Sequence, residues 1–144
     1  MKYTVEIDID LPRSRVIELF DSTENMKKWQ EGLVSAEHLS GTPGEVGAKM
    51  KLKYKMGKRE VEMIETITKR NLPDEFAGTY DAKGVHNIVD NTFIEISDSK
   101  TKWVAYQEFQ MKGMMKIIAF IMPGAFKKQS MKYMKDFKAF AENA

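Results

Sequence analysis

Hydrophobic and polar residues alternate one by one at the start of the chain and again along most of its middle. The apolar positions of the first alternating segment are Tyr3, Val5, Ile7 and Ile9. A period of two is typical of a β-strand with one buried side. After Gly32, five breaks rich in Gly, Pro, Asp and Lys divide the chain into six further strand-like runs that end at Gly113. The pattern therefore predicts seven strands.

The alternation also predicts which side of each strand faces the interior. In the third strand, apolar and charged residues alternate: Met50, Leu52, Tyr54 and Met56 are predicted to face inward, and Lys49, Lys51, Lys53 and Lys55 outward. The inner positions of the next strand and of the last strand are predicted to be Val61, Met63, Ile67, Trp103, Ala105, Phe109 and Met111. The segment 85–97 is ambiguous, because Ile88, Ile94 and Ile96 favour one face whereas Val89 and Phe93 favour the other. We predict that the isoleucine face points inward.

Helical spacing appears after the first strand and again after Gly113. Pro12 opens one short helix, and Met26 and Trp29 share a face of a second, at whose start Asp21 and Glu24 have capping-box spacing. The C-terminal segment is predicted to be helical in two pieces with a break near Met122, because Pro123 removes a backbone donor. The apolar face of the long piece consists of Phe126, Tyr133, Met134, Phe137 and Phe140.

The element order predicts an α+β fold, in which a seven-stranded curved antiparallel sheet wraps a long C-terminal helix and two short helices follow strand 1. Only that long helix can cover the apolar face of the sheet. A helix is roughly 10 Å across, too narrow to fill the concave side of so wide a sheet. We therefore expect a single domain over 1–144 with a cavity between sheet and helix. Several inward methionines (Met50, Met56, Met63, Met111 and Met134, with Met114, Met115 and Met122 nearby) would make its lining adaptable.

Composition narrows the partners of this fold. The formal net charge of +2 gives no strong field toward nucleic acid, and the absence of cysteine favours a reducing, cytoplasmic compartment. The apolar segment Met114 to Phe126 is interrupted by Lys116, Pro123 and Gly124, and it is shorter than the roughly 20 residues of a membrane span. Stable membrane insertion is therefore not expected. This segment could be a gate, a dimer contact or a shallow membrane contact, of which we favour the gate; the protein could be a monomer or a homodimer.

The order of several short motifs resembles the START and polyketide-cyclase-like (SRPBCC) superfamily, which has the helix-grip fold. The motifs are Val5-Glu6-Ile7-Asp8-Ile9 with Leu11-Pro12 and Val16, Phe20-Asp21 with Trp29, the loop Gly41 to Gly47, Thr101, and the Pro-broken helix over 114–141. The resemblance covers nearly the whole chain. It implies a hydrophobic pocket under the long helix and no obligatory cofactor. It does not specify one function, because this fold serves binding, catalysis and co-chaperone work.

Polar residues at inward positions are the candidates for chemistry. Glu65, Asp90 and Tyr80 could transfer a proton, since burial raises a carboxyl pKa, although a buried carboxylate more often has a structural partner. Two scattered histidines, His38 and His86, do not have the spacing of a metal site. The predicted ligand-binding residues are Trp29, Tyr54, Met63, Glu65, Tyr80, Asp90, Trp103, Gln107, Phe120, Tyr133 and Phe137.

Three functions fit this prediction. The leading hypothesis is binding or carriage of a small hydrophobic molecule, such as a lipid, an isoprenoid or an aromatic, polyketide-like metabolite. The second is a cyclase or dehydratase that uses the acid–base candidates, and it requires at least two titratable groups near a common point. The third is a protein-interaction module of the co-chaperone kind, which requires a filled interior.

Overall fold

A computed structural model describes all 144 residues and shows one seven-stranded sheet. The elements are β1 (Lys2–Ile9), α1 (Arg13–Phe20), α2 (Thr23–Trp29), β2 (Leu33–Ser40), β3 (Lys49–Met56), β4 (Arg59–Asn71), β5 (Glu75–Ala82), β6 (Val85–Ser97), β7 (Lys100–Met111), α3 (Met114–Ile121) and α4 (Pro123–Glu142). The strand order is β1-β7-β6-β5-β4-β3-β2, and every neighbouring pair is antiparallel. The predicted fold class is confirmed: the sheet curves around the long helix α4.

The strand β6 faces the opposite way from our prediction. Val89, Asn91 and Phe93 are buried, whereas Ile94 and Ile96 are exposed. The inner face of this strand carries asparagines whose polar groups find partners inside the protein, so its alternation of apolar and polar residues is weak. The isoleucines lie outside, where β-branched residues still favour a strand.

The two short helices are separated by a tight corner. Asp21 is the C-cap of α1, and Ser22 is the N-cap of α2 because its hydroxyl accepts a hydrogen bond from the Asn25 amide at 3.2 Å. Our expectation that Asp21 caps the second helix was therefore wrong by one residue. The Asp21 carboxylate instead accepts two hydrogen bonds from the Arg70 guanidinium, at 2.6 and 3.1 Å, and this pair fixes the corner to β4.

The C-terminal helices break where the proline predicts. Met122 ends α3 and precedes α4, and Pro123 occupies the first turn of α4. The buried face of α4 contains Met134, Phe137 and Ala141. No helix has both the length and the apolar content needed to cross a bilayer.

Aromatic rings fill one end of the space between α4 and the sheet. The Phe137 ring lies 5.0 Å from that of Trp29 and 5.4 Å from that of Trp103, and Phe20 lies 5.0 Å from Phe93. These are edge-to-face contacts, which aromatic quadrupoles favour. This packed cluster fills one end of the interior.

Candidate functional site

A cavity of about 360 Å³ lies beside the aromatic cluster, between the concave side of the sheet and α4. This volume falls within the roughly 300–1,000 Å³ range of small-molecule sites. Of the 33 residues that line it, 21 are hydrophobic. The sheet provides most of the wall, because alternate residues of the strands point to its concave side. The predicted space beside α4 is therefore present and is mainly apolar.

One part of the wall is aromatic and rigid, and another is flexible. Phe20, Trp29 and Trp103 belong to the aromatic cluster and also line the cavity. The methionines in the wall are Met26, Met50, Met56, Met63 and Met134. Because methionine has no branch and three rotatable bonds, this side of the cavity can adapt to ligands of different shapes.

Polar groups in the wall form a cluster around Glu65. Glu65 of β4 and Tyr80 of β5 are directly opposite in the sheet register, and the Tyr80 hydroxyl donates a hydrogen bond to the Glu65 carboxylate. Burial raises the pKa of Glu65, and the hydrogen bond from Tyr80 opposes that rise in part. Glu65 therefore keeps its proton to a higher pH than an ordinary glutamate.

Two further tyrosines belong to this cluster. Burial raises the pKa of Tyr54, and the nearby Tyr133 and Glu65 raise it further. Burial also raises the pKa values of Tyr80 and Tyr133. For Tyr133, a hydrogen bond from Gln129 opposes that rise in part. All three tyrosines are neutral hydroxyl groups at physiological pH, so they can donate or accept hydrogen bonds but cannot act as bases.

Several other polar atoms in the wall have protein partners. The Trp103 indole donates to Asn91 Oδ1 at 2.9 Å, and Asn87 Nδ2 donates to Gln107 Oε1 at 3.2 Å. The Tyr54 hydroxyl donates to Gln30 Oε1 at 2.6 Å. These hydrogen bonds offset the cost of desolvating asparagine and glutamine in an apolar wall.

Solved structures of other proteins share this architecture, although no family model and no curated protein matches the sequence. A conserved protein from Geobacillus kaustophilus superposes with a TM-score of 0.85 at 16% identity, over 99% of this chain and 96% of its own. The Zhui aromatase/cyclase from Streptomyces sp. R1128 superposes with a TM-score of 0.81 at 11% identity, and the match covers 99% of this chain and 93% of that protein. A START superfamily protein from Mycobacterium smegmatis superposes with a TM-score of 0.78 at 8% identity, and the match covers 99% of this chain and 97% of that protein. The chain has the helix-grip fold.

The predicted resemblance to START and polyketide-cyclase-like proteins is thus confirmed at the level of the fold. The helix-grip fold places eight of the predicted ligand-binding residues in the cavity wall. They are Trp29, Tyr54, Met63, Glu65, Tyr80, Trp103, Gln107 and Tyr133. Six of these positions follow from strand parity, Tyr133 follows from the α4 face, and Trp29 follows from the apolar face of α2.

Three predicted residues lie elsewhere. Asp90 is on the outer side of β6 beside Glu75 and Lys69, because the face of that strand was predicted the wrong way round. Burial and a hydrogen bond with Glu75 raise the pKa of Asp90, but it does not line the cavity. Phe120 of α3 is 89% exposed, and Phe137 of α4 is fully buried behind Trp29 and Trp103 in the aromatic cluster.

Some wall residues escaped the sequence prediction. Asn87, Asn91 and Gln30 are polar, and a pattern of apolar residues does not reveal them. The shared parity of Asn87, Val89 and Asn91 with buried Phe93 was the available signal. Among the methionines expected near the interior, Met111 does not line the cavity, and Met114 and Met122 are exposed.

The two histidines do not share a site. His86 Nδ1 forms a hydrogen bond with Asp81, and His38 is exposed in β2. No three His, Asp or Glu side chains are grouped closely enough to hold a metal ion.

Proposed function

We propose that the protein binds a small hydrophobic molecule in the cavity between the sheet and α4. The observation that carries the proposal is the volume of about 360 Å³ with a mainly hydrophobic wall. Removing apolar ligand surface from water contributes roughly 25 cal/mol per Å² before the cost of ordering the ligand. Candidate ligands are a lipid, an isoprenoid or an aromatic, polyketide-like metabolite. A co-chaperone function is not favoured, because it requires a filled interior.

The polar cluster suggests that the ligand has a neutral polar end. Glu65 and the hydroxyls of Tyr80 and Tyr133 can exchange hydrogen bonds with a hydroxyl or a carbonyl group. The one cation in the wall, Arg70, is already paired with Asp21. A ligand carboxylate beside Glu65 would therefore lack a counter-charge, and burying it would be costly. An apolar alcohol, ketone or phenol fits the cluster better than a fatty acid does.

Native mass spectrometry of the protein purified from its own host tests the proposal. We expect a bound molecule on the wild type and on a control variant in which the exposed residues Val34 and Val46 are replaced by Phe. The cavity variant Val61→Phe/Val85→Phe narrows the space and should lose most of that molecule. Equal amounts on both variants, or a wild type without any bound molecule, would argue against the cavity as the binding site.

A second candidate is an enzyme that moves a proton on the bound molecule, as a cyclase or dehydratase does. The specific observation is the Glu65–Tyr80 pair inside the cavity, where a raised carboxyl pKa suits a general acid or base. The molecules extracted from the wild type and from Glu65→Gln distinguish the two candidates. A carrier gives the same molecule from both proteins, whereas a dehydratase gives a molecule heavier by one water from the variant.

A further inference from the structure

The helix α3 exposes an apolar face that no other part of the chain covers. Phe120 is 89% exposed and Ile121 is 70% exposed, and Met114, Ile117 and Met122 are exposed as well. Met114, Ile117 and Ile121 lie at helical spacing, so their side chains share one face of α3. On the opposite face of the helix, Ala119 is buried against the rest of the protein. The exposed face is therefore fixed in place by the fold.

This face does not belong to the cavity. No residue of α3 lines the cavity, although Phe126, at the far end of the segment 114–126, does. The interpretation of that segment as a gate stays a prediction. An open depression beside the helix is lined by Met1, Phe109, Met111, Lys116, Ile117, Ala119 and Phe120, of which Phe109 alone also lines the cavity. The apolar face needs an explanation of its own, independent of the ligand.

The chain segment that contains α3 carries charged side chains of one sign only. From residue 109 to residue 135 the chain contains six lysines and no Asp or Glu. Lys132 pairs with Glu31 and Asp136, whereas the other five have no ion-pair partner. These five, Lys112, Lys116, Lys127, Lys128 and Lys135, are all exposed.

A neighbouring turn adds one more lysine to this group. The Lys112 amide donates to the Gly84 carbonyl at 2.9 Å, which packs the β5–β6 turn against the start of α3. The exposed Lys83 of that turn therefore lies beside Lys112. Exposed lysines thus precede α3 (Lys112, with Lys83 of the neighbouring turn), lie within it (Lys116) and follow it in the first turns of α4 (Lys127 and Lys128), although the whole protein has a net charge of only +2. These five side chains are called the lysine rim below.

We propose that α3 docks the protein on an anionic lipid bilayer, with Phe120 and Ile121 in the headgroup and acyl boundary and the lysine rim on the phosphates. An interfacial helix binds through buried apolar area together with attraction to anionic lipid. A second copy of the chain fits less well. A two-fold interface would place this lysine rim against itself, and like charges repel. The proposal does not depend on the cavity ligand.

Co-sedimentation with vesicles tests the proposal. We expect binding to vesicles of equal parts phosphatidylcholine and phosphatidylglycerol, little binding to phosphatidylcholine alone, and weaker binding as salt increases. Phe120→Ser/Ile121→Ser should weaken binding about tenfold or more. The matched control Val34→Ser/Val46→Ser removes two exposed side chains elsewhere, 56% and 61% exposed, and should bind like the wild type.

A second pair of variants tests the charge. Lys127→Gln/Lys128→Gln should lower binding by about fivefold for each lysine, with circular dichroism unchanged. The proposal is overturned if the wild type does not bind the anionic vesicles, if the Phe120/Ile121 variant and its control bind equally, or if binding does not depend on salt. A dimer in solution that the Phe120/Ile121 variant dissociates, without any effect on vesicles, would overturn it in favour of a second copy.

Discussion

The Glu65 carboxylate shares the cavity with three tyrosines, and its protonation is tied to the folded state. Burial raises its pKa in the folded protein, whereas the unfolded chain returns it to water. Below the ordinary pKa of a glutamate, both states hold the proton. As the pH rises from there through the raised pKa, the unfolded chain releases its proton first, so Glu65 lowers stability progressively.

The variant Glu65→Gln should therefore become more stable relative to the wild type as the pH increases across that window. The glutamine side chain would keep the shape and an acceptor for the Tyr80 hydroxyl, but it carries no titrating group. Urea unfolding at a series of pH values measures the difference. The same change at the exposed Glu60 of β4 is the control and should give a much smaller effect. Parallel pH profiles for Glu65→Gln and the wild type would contradict the burial of this carboxyl.

The two tryptophans offer a second comparison between single residues. Both pack against Phe137, but the Trp103 indole donates to Asn91, whereas the Trp29 indole has no partner in the protein. Trp103→Phe leaves the buried Asn91 carbonyl without its donor, so it should cost about 1–3 kcal/mol more than Trp29→Phe. Chemical denaturation measures both values. Equal losses would show that the Asn91 hydrogen bond contributes nothing.

Among the helices and strands, β1 holds the first turns of α4. The Tyr3 hydroxyl donates to the Phe126 carbonyl at 3.0 Å and shares a hydrogen bond of 2.7 Å with the Ser130 hydroxyl. This contact lies at the end of α4 that lines the cavity, whereas Phe137 anchors the middle of the helix. The part of the cavity wall that α4 forms thus depends on a contact between residues that are more than a hundred positions apart in the sequence.

The variant Tyr3→Phe should destabilise the protein by about 1 kcal/mol and speed amide exchange in the first half of α4 only. The half that contains Phe137 and Ala141 should keep its protection. Tyr106→Phe, at an exposed position of β7, is the control and should leave exchange in α4 unchanged. Uniform acceleration along the helix, or none at all, would show that Tyr3 does not fix its start.

Much of this arrangement could be predicted from the sequence, and the failures have physical causes. The strands β3, β4 and β7 alternate cleanly, so Met63, Glu65 and Trp103 were placed correctly. The strand β6 was reversed because Asn87 and Asn91 face inward with partners that only the folded sheet provides. The faces of α4 were right, but the pattern could not tell that Phe137 would be covered by Trp29 and Trp103.

In the molecule as a whole, a wide sheet covered by one narrow helix leaves space that side chains only partly occupy. The aromatic cluster closes one end of that space, and the cavity takes the other. The number of strands and the single covering helix were enough to predict the cavity. Its polar cluster depended on the register that pairs Glu65 with Tyr80, which no sequence pattern specifies.

Binding of an apolar molecule in this cavity can be followed from inside it, because the two tryptophans of the chain, Trp29 and Trp103, both line the wall. Titration with the neutral probe N-phenyl-1-naphthylamine, followed by energy transfer from tryptophan, is the decisive measurement. We expect saturable binding of a single probe per chain, lost in Val61→Phe/Val85→Phe and kept in Val34→Phe/Val46→Phe. Unchanged binding by the cavity variant, with its near-ultraviolet circular dichroism intact, would contradict a ligand site between the sheet and α4.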